Sequence, residues 1–195
     1  SEDGETLIHG GPTVEGEFAL DLSGLKGLKI IGESAFAHCK TLTKVVLPNG
    51  LEEIGISAFG DCTALASVNL PDSLKHIRGN AFMRCALESI TLPENLLTVG
   101  MRAFAGCSQL KAVTFSCVAL EQAHPGAFME SDPRFILRPV RRQAVLASLF
   151  RTNFYKRFGV IENIYAMCRF PLFANPFHVR RIADRFERHA NQGFL

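Results

Sequence analysis

The sequence predicts a solenoid of stacked repeats followed by a helical segment. A phenylalanine preceded by alanine recurs at separations of 23, 23, 22 and 24 residues, at Phe36, Phe59, Phe82, Phe104 and Phe128. From Pro139 onward the repeat stops and the apolar residues recur at helical spacing. We therefore divide the chain into a lead-in over residues 1–17, a repeat domain over residues 18–139, and a helical, Phe- and Arg-rich segment over residues 140–195.

Composition excludes several classes of protein. The chain has 195 residues, of which 47% are apolar and 21% charged, and this excludes a disordered or low-complexity chain. The longest apolar stretch, Ala144–Phe150, is too short to cross a bilayer, so we expect no transmembrane segment. No secretory signal precedes Ser1 and the first residue is not methionine, so we expect a trimmed or processed form.

Each copy of the repeat contains further matching positions. A cysteine follows the phenylalanine by three residues in the first four copies, and Ser131 takes that position in the fifth. A strand-like block comes next, in which apolar residues that face inward alternate with residues that face outward. Proline ends the first three blocks. These blocks are Val45–Leu47, Val68–Leu70, Ile90–Leu92 and Val113–Phe115. Stacked copies therefore predict a short parallel sheet. We expect a helical turn at Ala-Phe-x-x-Cys and a second extended piece at Leu-x-x-Ile.

From Leu51 to Pro71 the chain contains one complete copy of the pattern Leu-x-x-Ile-Gly-x-x-Ala-Phe-x-x-Cys-x-x-Leu-x-x-Val-x-Leu-Pro. This pattern resembles the BspA-like, treponemal-type leucine-rich repeat. The resemblance implies a right-handed solenoid of the α/β type, with a short parallel concave sheet and helical turns on the convex side. It also implies a bacterial or protist protein that binds other macromolecules, and it favours a secreted, periplasmic or cell-surface location.

The outward positions of the concave sheet form the predicted binding face. The alternation gives one column of Asp21, Val46, Asn69, Thr91 and Thr114, and a second of Ala19, Lys44, Ser67, Ser89 and Ala112. These side chains are short and weakly polar, so they suit an apolar or extended segment of a protein partner. Five strands span only about 20–25 Å, which is narrow for a standard interface.

The helical segment differs from the repeats in charge. Residues 1–137 contain 10 basic and 16 acidic residues, whereas residues 138–195 contain 11 basic and 3 acidic ones. Three interpretations stay open: the helices cap the solenoid, their aromatic residues form an interface with a partner or a second copy, or a basic helix lies on a membrane surface. The candidate interface residues are Tyr165, Phe170, Phe173 and Phe177.

No catalytic, cofactor-binding or metal-binding motif is found in the sequence. Four cysteines share one repeat position, which indicates a column of small buried side chains, although disulfides or a zinc site are the alternatives. Thiol chemistry at Cys117 or Cys168 is the only enzymatic hypothesis. Arginines near His178 and His189 form either a solvated helix face or a site for an acidic partner or a phosphate backbone; we expect no nucleic-acid binding.

We therefore expect a non-enzymatic protein–protein interaction module without cofactors, whose partner is of host or bacterial origin. The alternative is a self-associating structural protein. In that case the Phe-rich helices would cap the solenoid and also form an oligomer or apolar-ligand interface.

Overall fold

The computed structural model describes residues 4–7, 16–116, 121–124, 126–131 and 133–137. The chain divides into two compact units, Ser1–Arg157 and Phe158–Leu195, and every described residue lies in the first. The predicted helices after Pro139 therefore lie outside the described residues. The described part consists of turns and twelve short strands: β1 (Thr6–Leu7), β2 (Phe18–Asp21), β3 (Ile30–Ile31), β4 (Leu42–Val46), β5 (Glu53–Ile54), β6 (Ser67–Asn69), β7 (His76–Ile77), β8 (Ser89–Leu92), β9 (Thr98–Val99), β10 (Ala112–Phe115), β11 (Gln122–Ala123) and β12 (Arg134–Leu137).

The strands stack copy upon copy in parallel, which confirms the predicted solenoid. The Leu-x-x-Ile segments form a six-stranded sheet in the order β1-β3-β5-β7-β9-β11. Its register joins equivalent positions, so that Ile31 pairs with Ile54 and Ile54 pairs with Ile77. Each strand contributes two residues, one facing the core and one facing outward.

The Val-x-Leu blocks form the opposite layer, as two sheets rather than the single one expected. One three-stranded sheet has the order β2-β4-β6 and the other has the order β12-β10-β8. The break falls between β6 and β8, where the third copy has one residue fewer between Cys85 and Leu87 than the second copy has between Cys62 and Leu65. A shorter connection does not by itself separate two strands, because β12 pairs with β10 although only two residues lie between Ser131 and Arg134.

The predicted helical turn at Ala-Phe-x-x-Cys is wrong, because the described residues contain no helix there. In the first copy Ser34 and His38 have left-handed backbones, with φ of 54° and 61°. This conformation costs about 1–2 kcal/mol per non-glycine residue and interrupts any helix. It directs the N–H groups of Ser34, Phe36 and His38 to the carbonyls of Ile56, Ala58 and Gly60 in the next copy, each at 2.8 Å. Hydrogen bonds to the next copy thus alternate with bonds inside the turn, such as that from the N–H of Ala37 to the carbonyl of Ser34, and no helix forms.

The core is built around a column of stacked phenylalanine rings. The five repeat phenylalanines are at most 2% exposed, with successive ring centroids 5.1–5.3 Å apart and ring planes within 8° of parallel. Leucine, isoleucine and valine from the strands surround this column. No copy could bury its own ring, so each stabilises the next.

Two glycines mark the closest approach between copies. A Cβ atom on Gly55 would lie 2.8 Å from the backbone of Gly32, and one on Gly100 would lie 2.5 Å from the backbone N of Gly79. The obstructing atoms belong to the backbone, so they cannot move aside as a side chain would.

We expect Phe82→Ala to lower the free energy of unfolding by about 3–5 kcal/mol, because the change leaves a cavity in the middle of the ring column. The measurement is denaturant titration. Met101→Ala is the control, since Met101 is 51% exposed, and should change stability by less than about 0.5 kcal/mol. A Phe82→Ala loss as small as that of the control would contradict the stacked core.

We expect Gly100→Ala to destabilise the protein by about 1–3 kcal/mol, because its methyl group would overlap the backbone of the preceding copy. Thermal unfolding of this variant should be compared with that of Gly27→Ala, since a Cβ on Gly27 has no neighbour within 4 Å. Equal melting temperatures for the two variants would show that the copies are not in such close contact.

Candidate partner-binding face

The predicted binding residues lie in two columns on the outward side of the three-stranded sheets. In the first sheet Ala19, Lys44 and Ser67 are in register, as are Asp21, Val46 and Asn69. In the second sheet Ser89 pairs with Ala112 and Thr91 with Thr114. The members at the surface are Ala19, Asp21, Lys44, Ser67, Asn69, Ser89 and Thr91, whereas Val46, Ala112 and Thr114 are half-buried. The face defined by these ten residues is called the outer-strand face below.

Two side chains of the outer-strand face are held by hydrogen bonds. The Oδ1 atom of Asn69 accepts a hydrogen bond from the N–H of Leu47 at 2.9 Å, which ties the third strand of the sheet to the second. Asp21 accepts one from the N–H of Ser23 at 2.8 Å. Hydrogen bonds from Ser23 lower the pKa of the Asp21 carboxyl, with Lys44 adding a smaller electrostatic effect. The one acidic residue of the face is therefore ionised at neutral pH.

The break between β6 and β8 exposes apolar surface within this face. Val68 and Leu70 are both half-buried, whereas their equivalents Ile90 and Leu92 are 3% and 0% exposed. Val68 and Leu70 are therefore less deeply buried than the equivalent residues of the next copy. The flanking residues, Ser67 and Asn69 on one side and Ser89 and Thr91 on the other, are exposed and polar. The middle of the face thus combines apolar surface with hydrogen-bonding side chains.

Sequence reasoning missed two residues that extend the columns. Arg134 pairs with Ala112 and Ile136 with Thr114 in strand β12, and both side chains are exposed. The fifth copy is irregular, so repeat matching did not place a strand there. The two-residue alternation through Phe135 is a signal that could have revealed it.

Several charged residues outside the face pair with one another across copies. Glu52 lies 3.4 Å from Lys29 and 2.6 Å from Lys75, in the copies on either side. The hydrogen bond from Lys75 is the main cause of the lowered pKa of Glu52. Arg78 donates two hydrogen bonds, of 2.9 and 2.8 Å, to the carboxylate of Glu53. These exposed pairs help to align adjacent copies but contribute little stability each.

The cysteine column is a set of hydrogen-bond donors. The Sγ atoms of Cys62, Cys85 and Cys107 lie 3.1–3.2 Å from the carbonyl oxygen of the repeat phenylalanine in the preceding copy. Ser131 replaces cysteine in the fifth copy and makes the same bond to Phe104 at 2.9 Å. The column is thus more than the small hydrophobic filler that the sequence indicated. The bond also explains why serine substitutes for cysteine.

Burial suppresses ionisation of these thiols. Desolvation raises the pKa of Cys62 to about 12 and that of Cys107 to about 11, and it raises the pKa of Cys85 as well. In the unfolded chain these thiols ionise near pH 9.0, the ordinary thiol pKa, whereas in the folded chain they stay protonated to higher pH. Their ionisation therefore leaves the free energy of unfolding unchanged below pH 9.0 and lowers it as pH rises from 9.0 towards the pKa values of the folded protein. The four described cysteines are free thiols.

Two further features are absent from the described residues. No group of three histidine, cysteine or acidic side chains is placed to hold a metal ion in this part of the chain. Within the same ranges no helix has the length and apolar character needed to cross a membrane. Four further candidates, Tyr165, Phe170, Phe173 and Phe177, lie outside the described residues, as do Cys117 and Cys168.

The stacked parallel strands and the 22–24-residue repeat define a leucine-rich repeat protein. The chain belongs to the BspA-type leucine-rich repeat family: the sequence model for the BspA type leucine rich repeat region matches six copies over residues 29–151. The predicted family is therefore confirmed. Comparison with curated protein sequences gives no significant match.

Two solved structures resemble this fold. A leucine rich cell surface protein from Faecalibacterium prausnitzii is 25% identical, with a TM-score of 0.61, and the match covers 72% of this chain and 37% of that chain. The pneumococcal vaccine antigen PcpA is 24% identical, with a TM-score of 0.58, and the match covers 76% of this chain and 42% of that chain. The aligned region thus spans only about two fifths of the length of either protein.

We expect the buried thiols to resist Ellman's reagent in the native state. A Cys117→Ser/Cys168→Ser variant isolates the four column cysteines. Of these, only Cys39 is half-buried, so no more than this one thiol should react promptly before unfolding and all four should react in denaturant. Rapid native-state modification of Cys62, Cys85 and Cys107 would contradict their burial.

Proposed function

We propose that this chain is a non-enzymatic protein-binding module that holds its partner on the outer-strand face. The observation that carries the proposal is the register of the two columns, which lines up exposed side chains from consecutive copies on one surface. In a repeat protein the inward positions are fixed by the shared core, so outward positions are free to serve recognition. The absence of catalytic motifs from the sequence agrees with this role.

The chemistry of the face favours a partner that presents an extended, weakly polar or apolar segment. Hydroxyl and amide groups at Ser67, Asn69, Ser89 and Thr91 offer both donors and acceptors to such a segment. The half-buried Val68 and Leu70 offer an apolar contact at the centre, where binding energy is usually concentrated. Lys44 and Asp21 lie at the first end of the face and Arg134 lies at the other, so charge would act at its ends.

The size of the face limits the mode of binding. Strands in a sheet lie about 4.8 Å apart, so the five strands of the face span about 20–25 Å, and a standard interface buries about 800 Å² on each partner. We therefore expect either a slender extended segment or a larger partner that also contacts the turns beside the strands.

The similar structures support a surface setting for this activity. One of them carries the description cell surface protein and the other that of a vaccine antigen, each from a bacterium. We extend that setting to this chain: a bacterial surface or secreted protein whose partner is a host or bacterial protein. Self-association through the Phe-rich segment stays a prediction, since its residues lie outside the described ranges.

We expect Ser89→Arg to abolish partner binding, because a long charged side chain would cover the centre of the face and obstruct the apolar contact. Ser108→Arg is the matched control: it places the same change on an exposed serine in a turn outside both three-stranded sheets. The measurement is saturable crosslinking of each protein to host-cell and bacterial surface extracts. The proposal is wrong if the unmodified protein gives no saturable crosslinked species, or if the two variants bind alike.

A further inference from the structure

The turn after strand β4 has the features of a site of spontaneous covalent modification. Asn49 and Gly50 occupy the middle of a tight turn that the N–H of Leu51 closes on the carbonyl of Pro48 at 3.2 Å. Asn49 is exposed. Within the described residues, neither the Asn49 side-chain amide nor the Gly50 N–H makes a hydrogen bond. Neither reacting group is therefore held by a hydrogen bond within the described residues.

The packing between copies explains why glycine stands at this position. A Cβ atom on Gly50 would lie 3.3 Å from the carbonyl oxygen of Lys26 in the preceding copy. At the equivalent position of the next copy Ser73 donates a hydrogen bond of 2.7 Å to the carbonyl of Leu51, and in the copy after that Asn95 donates one of 2.9 Å to Asp72. A residue without a side chain fits this first turn, and it also leaves the backbone nitrogen unshielded.

We infer that Asn49 undergoes deamidation through a cyclic imide formed with Gly50. The deprotonated backbone nitrogen of Gly50 attacks the Asn49 side-chain carbonyl carbon, a carbon–nitrogen bond forms, and ammonia leaves. Water then opens the imide at either carbonyl, giving aspartate or isoaspartate. Nothing is oxidised or reduced, and water is the only co-reactant.

Two of the three other described asparagines provide internal comparisons. Asn69 is fixed by its bond to Leu47, and Asn95 by its bond to Asp72. Each is followed by leucine, whose side chain hinders attack by the backbone nitrogen. The reaction should therefore select Asn49 over both of these residues.

The product would change the charge beside the outer-strand face. Asn49 is equivalent to Asp72 and Glu94 in the two following copies, so a carboxylate at residue 49 would extend an acidic row from two copies to three. The turn directly follows strand β4, which contributes Lys44 and Val46 to the face. Because the modification depends on the turn alone, its test is independent of whether the proposed function holds.

The test is a time course of the purified full chain at physiological temperature and mildly alkaline pH, followed by peptide mass mapping. We expect the peptide containing Asn49 to gain the mass of an amide-to-acid change and to split into aspartate and isoaspartate forms, faster at higher pH. The peptides containing Asn69 and Asn95 should not change over the same period. Asn49→Asp supplies the retention standard for the aspartate product.

Gly50→Ser, which installs the residue of the next copy, should slow the reaction strongly while retaining the turn. The inference is overturned if Asn49 stays intact in the native protein but reacts after unfolding in urea, since the turn would then protect it. It is equally overturned if Gly50→Ser reacts as fast as the original chain, or if Asn69 and Asn95 react as fast as Asn49.

Discussion

Hydrogen bonding between successive copies is the interaction on which the rest of this structure depends. The strands of a single 22–24-residue copy have no partner strand within that copy, so their backbone groups must pair with those of a neighbouring copy. The strands pair with equivalent strands, and the N–H groups at Ser34, Phe36 and His38 reach the next copy as well. Because each copy is bonded to the next in at least one layer, the register between copies determines which side chains meet.

This register explains the residue types inside the repeat. The phenylalanine ring of one copy must stack on the ring of the next copy, so phenylalanine recurs in all five copies. The carbonyl of each such phenylalanine needs a donor in the following copy, and a thiol or hydroxyl at the cysteine position supplies it. Glycine at Gly55 and Gly100 allows the backbones to approach closely enough for the same bonds to form.

The positions that the register does not use are free to vary. On the outer-strand face most side chains are exposed and differ from copy to copy, as at Asp21, Asn69 and Thr91. Membership of the BspA-type leucine-rich repeat family identifies the scaffold, whereas the scaffold alone does not specify a partner. The break beside Val68 matters for that reason, because it brings core-type side chains to an otherwise polar surface.

The sequence by itself determined the repeat length, the family, the buried phenylalanines and the two outward columns. Those features depend on spacing and alternation, which are local and recur in every copy. Tertiary structure alone decided three others. Turns at Ser34 and His38 replaced the expected helical turn, because bonds to a neighbouring copy outweigh the cost of a left-handed backbone. The outer layer divided between β6 and β8, and the Sγ of Cys85 found its acceptor in Phe59. Each depends on where one copy lies against another, and no single copy of the sequence contains that information.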